Sequence, residues 1–359
     1  AAREIRDMPE IWRQCLAGSR APDLRGTQVR SAACHLWRSD SFRSKLGMLG
    51  AKVGLHVAPQ ELSPAERPPA LAGCPGSVAR LDEQVIAPAS FLADLARQHR
   101  DRLLSIDAQS GLQVSVSKPG FVERVALSHP QTKAVIELLP RHVVLTAGAG
   151  NGALRALCRL PAEHMQLRPL HMVLVRGNLP TINGHCVDGA RTRVTITSDR
   201  DSSGRTVWQV GGQLAEDGVA CDEHALVRRA CAELTEVLPG VDLSNTEWAT
   251  YRVDRAERAS PRGSRPDTAT LLHGGNVITA WPTKLALAPQ LARMIEARLP
   301  PPLVVQATSA QRAGETPAPQ RFLPVEIADW PRPEIALPPW ETPRLWHRLE
   351  GEGTTRRAA

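Results

Sequence analysis

The sequence predicts an α/β (α+β) chain in which a mixed domain is interrupted along the chain by an antiparallel sheet. Three observations support this fold class. Residues 142–146 form an apolar run that ends in glycines, which is typical of a central parallel strand buried on both faces. Between residues 167 and 215, short runs with polar alternation predict antiparallel strands. A second apolar strand at residues 276–279 leads into a closing helix, so the mixed domain resumes there.

The first 140 residues carry two helix signals and several strand signals. Residues 3–17 place apolar side chains at helical spacing and predict an amphipathic helix. Short strands are predicted around residues 26–31 and 35–37, before a proline-rich loop. Pro88 precedes a second predicted helix, over residues 89–102, because a proline in the first turn costs no hydrogen bond. A strand meander then follows at residues 113–116, 122–128 and 134–139.

The middle of the chain alternates strands with helices, and the end is dense in proline. Antiparallel strands are predicted at residues 171–175, 193–197 and 206–210. Residues 223–238 predict a helix, residues 248–252 a further strand, and residues 287–299 the closing helix. Prolines crowd the chain after residue 300, and we interpret this tail as an extended strap with three isolated anchors, Trp330, Trp340 and Trp346.

Composition predicts a globular protein and argues against a nucleic-acid partner. Among 359 residues, 42% are hydrophobic and 23% are charged, so the chain can bury a sizeable core and is not disordered in bulk. Aromatic residues make up only 4%, which argues against a protein that stacks nucleic-acid bases. The formal net charge of +7 comes from arginines dispersed along the chain and is typical of a solvated surface. We therefore expect no nucleic-acid partner.

Cysteine usage and hydropathy bear on the cellular compartment. The seven cysteines are odd in number, widely spaced and without a Cys-x-x-Cys pair, so we expect reduced thiols, a cytoplasmic location and no metal site. No apolar run approaches the roughly 18 residues that a membrane span requires. Peripheral membrane contact and the oligomeric state stay open.

A glycine-rich turn, AGAGNGA at residues 147–153, links the first apolar strand to a predicted helix. Glycines at such a turn let the backbone approach a pyrophosphate, and the helix N-terminus favours its charge. The acidic residue that usually holds a ribose about 20 positions further on is absent. Arg176 could receive a 2′-phosphate instead, so an NADP-dependent reductase is one alternative and an ordinary tight turn is another.

Three segments farther along the chain are informative together: TVWQVGGQLAE (206–216), WATYRVDRAE (248–257) and GNVITAWPTKLALAP (275–289). In their joint order they resemble the FAD-dependent oxidoreductases of the D-amino-acid oxidase and glycerol-3-phosphate dehydrogenase superfamily. The resemblance runs from about residue 8 to residue 340. It implies an FAD/NAD(P)-binding Rossmann-like domain, incomplete here, interleaved with an antiparallel substrate domain, and it implies FAD as the cofactor.

The resemblance also suggests a division of the chain and a set of cofactor contacts. The expected parts are an N-terminal helix with part of the substrate domain (1–80), the first part of the FAD-binding domain (81–158), the antiparallel substrate domain (159–261), the return segment of the FAD-binding domain (262–300) and the proline-rich strap (301–359). The cofactor residues that it implies are Gly148, Gly150, Gly275, Asn276, Val277 and Thr283.

One departure from the superfamily pattern affects the expected affinity for FAD. Members open with a strand and Gly-x-Gly-x-x-Gly, and no such unit precedes Ala1. We therefore expect a truncated chain that binds FAD weakly or not at all and leaves a sheet edge open to aggregation. A non-catalytic remnant or interaction protein of the same fold is the alternative to an enzyme.

Positive charge near the expected cofactor site indicates an anionic substrate. Arg265, Arg252 and Lys284 are the candidate substrate-binding residues, since guanidinium and ammonium groups match carboxylate or phosphate. Tyr251 is the chain's single tyrosine, whereas amine oxidases of the superfamily often bind substrate with a tyrosine. We therefore expect a small anionic alcohol or amine, such as glycerol 3-phosphate. No residue is predicted to be catalytic.

Overall fold

The computed structural model describes residues 7–39, 59–107, 109–188, 191–301, 327 and 329–349. Residues 3–6 of the first predicted helix, and residues 302–326, 328 and 350–359 of the predicted strap, lie outside the described residues. The chain divides into two compact units. Unit 1 comprises Ala1–Asp94, Leu167–Ala256 and Ile335–Ala359, and unit 2 comprises Leu95–Gln166 and Glu257–Glu334.

Strands outnumber helices in the described residues. The strands are β1 (Val29–Ser31), β2 (Cys34–Trp37), β3 (Gln60–Glu61), β4 (Val78–Leu81), β5 (Val85–Ile86), β6 (Leu112–Lys118), β7 (Phe121–Ser128), β8 (Val135–Leu138), β9 (Val143–Leu145), β10 (Met165–Gly177), β11 (Gly184–Asp188), β12 (Arg191–Arg200), β13 (Thr206–Gly211), β14 (Glu247–Arg258), β15 (Thr270–Gly274), β16 (Val277–Trp281) and β17 (His347–Arg348). The α-helices are α1 (Met8–Leu16), α2 (Pro88–Gln98), α3 (Asn151–Leu157), α4 (Gln213–Asp217), α5 (Glu223–Val237) and α6 (Ala288–Glu296).

Among the described residues, the largest sheet has nine strands in the order β17-β14-β10-β13-β12-β11-β2-β4-β3. Its centre is antiparallel: β13 pairs with β10 on one side and with β12 on the other, so the predicted antiparallel strands are confirmed. The pairing of β2 with β11 is parallel and aligns His35 with Gly184. These two strands are far apart in sequence, and the prediction did not include their pairing.

The faces of this sheet bury different side chains because successive residues of a strand point to opposite sides. On one face, Val175 and Trp208 pack with residues of α5, among them Leu226 and Leu234. Asp222 caps the N-terminus of α5, since its side chain accepts a hydrogen bond from the Ala225 N–H at 2.7 Å. The opposite face buries Leu174, Val207 and Ala249. The sheet is therefore covered on both sides.

The described part of unit 2 contains two three-stranded sheets. The predicted meander is confirmed as β6-β7-β8, which is antiparallel throughout. The second sheet has the order β15-β16-β9, with β15 and β16 antiparallel and β16 and β9 parallel. Val143 lies opposite Val277 and Leu145 opposite Thr279, so the two apolar strands predicted at a distance of about 130 residues share one sheet.

The expectation that the first apolar strand is central and buried on both faces is wrong. Within the described residues, β9 pairs only with β16 and therefore forms the edge of its sheet. The side of the strand that carries Val144 is open, and this residue is 36% exposed. Leu145 is the one buried residue of this strand, in a cluster with Val122 and Val277.

The three tryptophan anchors of the predicted strap are confirmed. Trp330 is buried with Ile136 and Ile327, and its indole N–H donates to the Ser105 carbonyl at 2.8 Å. Trp340 and Trp346 pack against the cluster formed by Leu174, Val207 and Ala249. Each indole gives a proline-rich segment an apolar attachment point.

The boundaries between the two units lie at residues 94/95, 166/167, 256/257 and 334/335, whereas the sequence predicts boundaries after residues 80, 158, 261 and 300. Hydrogen bonds explain why two short segments belong to unit 2. The Ala259 N–H donates to the His164 carbonyl at 2.9 Å, and the Gln166 amide donates to the Ser264 carbonyl at 3.0 Å. The functional division into substrate and cofactor domains stays a prediction.

None of the seven cysteines forms a disulfide. Two of them, Cys34 and Cys186, lie on the neighbouring parallel strands β2 and β11 and are buried. Burial raises the pKa of each thiol to about 12. Because the thiolate is the reactive form, these groups are inert in the folded protein.

The core of unit 1 provides a first test. Trp37 is fully buried, and its indole N–H donates to the Val237 carbonyl at the end of α5 at 3.1 Å. Replacing it by alanine leaves a large cavity and leaves the Val237 carbonyl with the weaker thiol hydrogen bond from Cys74, at 3.4 Å, so we expect Trp37→Ala to lower the free energy of unfolding by about 3–5 kcal/mol. Urea denaturation followed by circular dichroism measures this loss.

The matched control for this test is Leu345→Ala, because Leu345 is 76% exposed in the same unit. We expect it to change the free energy of unfolding by less than about 0.5 kcal/mol. Equal midpoints for the two variants would show that the β2–α5 contact does not support the fold.

Candidate functional site

The candidate site lies in unit 2, at the carboxyl edge of the parallel strands β9 and β16. Because parallel strands end at the same edge, the turn after β9 and the turn after β16 lie side by side. In open α/β sheets, ligands bind in the crevice outside the carboxyl ends of the strands. The first turn contains Gly148 and Gly150, and the second contains Thr283 and Lys284.

A buried asparagine ties the two turns together. The side chain of Asn151, which is 0% exposed, accepts a hydrogen bond from the Ala147 N–H at 2.8 Å through Oδ1. Its Nδ2 donates to the Ala280 carbonyl at the end of β16, at 3.3 Å. One amide thus fixes the glycine turn, the start of α3 and the last residues of β16 relative to one another.

Arg155, one turn further along α3, strengthens the same link. Its Nη1 donates to the hydroxyl of Thr279 on β16 at 2.8 Å, and its Nε donates to the Pro161 carbonyl at 2.8 Å. Both Arg155 and Thr279 are buried. Burial lowers the pKa of the Arg155 guanidinium below its ordinary value. Arg155 therefore acts as a multiple hydrogen-bond donor inside the unit.

Gly148 leaves room for a ligand at this edge. Its φ is +57°, in the left-handed region that residues with a Cβ rarely adopt. A Cβ added to Gly148 would meet no atom within 4 Å. Close packing inside the protein is therefore not the reason for the absent side chain. The open space fits the close approach of an external group to the backbone.

The turn after β16 contains a strained residue. The Lys284 N–H donates to the Pro282 carbonyl at 2.7 Å, which closes a three-residue γ-turn around Thr283. Thr283 has a φ of +63°, which is costly for a β-branched residue. Its hydroxyl donates to the Thr268 carbonyl at 2.9 Å and holds the turn in place. Strain of this kind concentrates at ligand-binding turns.

A buried donor without a partner lies at the end of β16. Trp281 is 1% exposed, and its indole N–H has no hydrogen-bond acceptor among the described residues. Thr270, the residue opposite Trp281 on β15, also has a buried hydroxyl without a partner in this part of the chain. Unsatisfied buried donors are costly, so an acceptor supplied from outside the chain would stabilise this edge. The open Gly148 and the orphaned Trp281 together fit a cofactor with polar oxygens.

Three predicted cofactor residues take part in packing instead of lying open. A Cβ on Gly275 would lie 2.3 Å from the Gly120 carbonyl oxygen, so the glycine is required for close approach of the β6–β7 turn. The Asn276 side chain exchanges two hydrogen bonds of 2.8 Å with the backbone of Val122. Val277 is buried in the adjacent core cluster. Contact between these side chains and a cofactor stays a prediction.

The four candidate cationic residues occupy different surroundings. In unit 2, Arg265 and Lys284 are exposed. In unit 1, the Arg252 guanidinium donates to the carbonyls of Val219 and Cys221, each at 3.0 Å, so it holds a loop. Arg176, the candidate for a 2′-phosphate, also lies in unit 1.

Asn151, Arg155 and Trp281 were missed by the sequence analysis. Asn151 stands inside the glycine motif, where polar residues are common, and only the structure shows that its amide reaches β16. Arg155 looks like a surface residue of a short helix, although it is buried. A tryptophan before a proline at the end of an apolar strand was the one available signal.

The described residues lack two features. No group of three or more histidine, cysteine, aspartate or glutamate side chains there is placed to hold a metal ion. In the same part of the chain, no helix has both the length and the apolar character needed to cross a membrane.

The chain is similar to proteins of known class. It is 36% identical over 346 residues to the probable FAD-dependent oxidoreductase PA4991 of Pseudomonas aeruginosa, covering 95% of this chain and 82% of that one. The crystal structure of PA4991 superposes with a TM-score of 0.72 at 34% identity, over 95% of this chain and 83% of the other.

A more distant neighbour shares the fold alone. The crystal structure of L-proline dehydrogenase from P. horikoshii gives a TM-score of 0.52 at 12% identity, over 82% of this chain and 77% of that one. No family model matches the chain.

The link made by Asn151 provides the test of the site. Asn151→Ala removes both hydrogen bonds, and the carbonyl of the buried Ala280 loses the side-chain donor. We expect a loss of about 2–4 kcal/mol in the free energy of unfolding, measured by urea denaturation. Asn178→Ala is the control, since Asn178 is exposed, and a loss as large in that variant would contradict this role of Asn151.

Proposed function

The chain belongs to the family of FAD-dependent oxidoreductases, and on this premise we propose that it oxidises a small anionic alcohol or amine with FAD as cofactor. The observation that carries the cofactor part is the open, left-handed Gly148 at the carboxyl edge of β9 and β16. It is the predicted cofactor residue whose missing side chain is not explained by packing.

Three groups at this edge are suited to hold FAD. Gly148 exposes its backbone, the γ-turn at Thr283 presents backbone atoms in a fixed geometry, and the buried Trp281 N–H needs an acceptor. Bound FAD supplies a two-electron acceptor for a hydride from the substrate carbon. The chain's own part is to orient the ligand, because Asn151 fixes the distance between the two turns.

The substrate proposal rests on charge beside the strained turn. Lys284 directly follows Thr283, and Arg265 lies three residues before Thr268, which accepts the Thr283 hydrogen bond. This hydrogen bond joins the segment that carries Arg265 to the turn that carries Lys284, so the two cationic residues lie on segments that meet. A carboxylate or phosphate on the substrate would be held there by charge-assisted hydrogen bonds. Glycerol 3-phosphate is the example we propose to test first.

Arg252 has a different part in this proposal. Its two hydrogen bonds to backbone carbonyls engage the guanidinium within the protein. We therefore assign it to holding the loop around residues 219–221. The substrate proposal names Arg265 and Lys284 because of their place beside the strained turn.

The cofactor proposal is tested by filling the space at Gly148. We expect Gly148→Val to raise the dissociation constant for FAD at least about tenfold, because the side chain would occupy the open space beside the backbone. Titration with FAD, followed by quenching of flavin fluorescence, measures this change even where the affinity of the parent protein is low.

A matched control separates lost contact from backbone strain. Gly263 has nearly the same backbone angle, with a φ of +64°, and its Cβ position is equally open. Gly263→Val therefore introduces the same strain and should leave the affinity for FAD unchanged. The proposal fails if both variants lose FAD equally, or if the parent protein shows no affinity for FAD.

The substrate proposal is tested with Arg265→Gln. Losing one charge-assisted contact costs about 1.5–3 kcal/mol, so KM for glycerol 3-phosphate should rise about ten- to a hundredfold while the affinity for FAD stays constant. Steady-state kinetics with an artificial electron acceptor gives KM, and fluorescence titration gives the affinity.

Two comparisons sharpen the kinetic result. Arg252→Gln should lower thermal stability and leave KM near the parent value, because its bonds are to the protein's own carbonyls. Uncharged glycerol should be a poor substrate for all variants. Equal turnover of glycerol and its phosphate, or an unchanged KM in Arg265→Gln, would remove the basis for an anionic substrate.

A further inference from the structure

A cavity of about 420 Å³ opens at one end of the nine-stranded sheet in unit 1. It lies where β10 and β12 end and where β13 and β14 begin, next to β17. Four arginines line it: Arg176, Arg200, Arg205 and Arg348. Exposed amide side chains of Asn178 and Asn245 stand at its rim.

Cations exceed anions in this cavity. Glu247 is the one carboxylate among the described residues that line it. A second carboxylate, Asp201, is buried behind the wall and accepts a hydrogen bond from Arg205 Nε at 2.8 Å. Four guanidinium groups thus face two carboxylates. The surplus amounts to about two positive charges, which a ligand with at least two negative charges would match.

Two of the arginines are held in fixed orientations. The Glu247 carboxylate accepts from Arg176 Nε at 2.7 Å and from Arg205 Nη1 at 3.0 Å. The Arg176 guanidinium also stacks 3.8 Å above the ring of Trp346. Such pre-organised guanidinium groups lose little conformational entropy when they bind an anion. This arrangement is a built wall of the cavity and not a chance gathering of surface side chains.

The other two arginines are on the solvent side. Arg348 is exposed on the short strand β17, and Arg200 is exposed at the end of β12, where its Nη1 donates to the Gly204 carbonyl at 2.7 Å. Their guanidinium groups are available to bind the solvent-facing side of a ligand that contacts Arg176 and Arg205.

We propose that this cavity is a binding site for a small polyanion of the pyrophosphate class, beyond the oxidoreductase reaction. Phosphoryl oxygens accept the parallel hydrogen bonds that a guanidinium fork donates. The volume exceeds that of a single phosphate and lies at the lower end of the range for small-molecule sites. No aromatic residue is among the described residues that line the cavity, and the ring of the adjacent Trp346 is covered by Arg176, so this part of the chain offers no slot in which a nucleobase would stack.

Isothermal titration with inorganic pyrophosphate, at constant ionic strength, tests this proposal on the full chain. We expect saturable binding that weakens about tenfold in Arg348→Gln and in Arg200→Gln, and about a hundredfold in the double variant. Because both side chains are exposed, these substitutions leave the core intact, and circular dichroism verifies the fold. Added sodium chloride should weaken the binding further, since exposed charges are screened.

Arg228→Gln is the matched control, because Arg228 is an exposed arginine on α5 outside the cavity. It should bind pyrophosphate as the parent protein does. Absence of saturable binding, an equal loss in Arg228→Gln, or unchanged binding in the double variant would overturn the proposal. Tighter binding of citrate than of pyrophosphate would overturn the choice of a phosphate ligand. The activity of the oxidoreductase is not part of the readout, so either proposal can fail alone.

Discussion

The buried side-chain amide of Asn151 must find hydrogen-bond partners within the protein, and this requirement determines the geometry of unit 2. No water reaches this side chain, so its hydrogen bonds must be made within the protein. It makes them to the turn after β9 and to the end of β16. The open position at Gly148 and the strained turn at Thr283 are thereby held on one rigid frame. Arg155 repeats the link one helical turn away.

Arginine performs three physical roles in this protein, and the groups around each guanidinium determine which role it has. Buried among carbonyls and hydroxyls, Arg155 acts through its hydrogen bonds. Arg193 is enclosed by the carboxylates of Asp188, Glu233 and Glu236, so its charge is neutralised within unit 1. At the arginine-lined cavity the cations exceed the anions. The positive charges are dispersed along the sequence, but in the folded chain some of them are concentrated at one cavity.

The sequence predicted what depends on local pattern. Alternation identified the antiparallel strands, and the apolar runs at residues 142–146 and 276–279 pair as β9 and β16. The local pattern could not predict hydrogen bonds between side chains and backbone atoms that are distant in sequence. The two carbonyls that engage Arg252 come from a loop more than 30 residues away, and Asn276 meets the backbone of Val122 over 154 positions. Composition also favours a surface position for Arg155, whose burial depends on the tertiary structure.

The parallel pairing of β2 with β11 has a consequence for the order in which the chain assembles. The hairpin of β12 and β13 needs only a short turn. In contrast, β2 pairs with a strand about 150 residues further along the chain, and β10 lies between the two in sequence. Loop closure over such a separation is slow, so we expect this joint to form late in folding. Cys34 and Cys186 lie on its two strands, and their protection from a thiol reagent during refolding would time the event directly. The same two thiols would then record how often the joint reopens in the native protein.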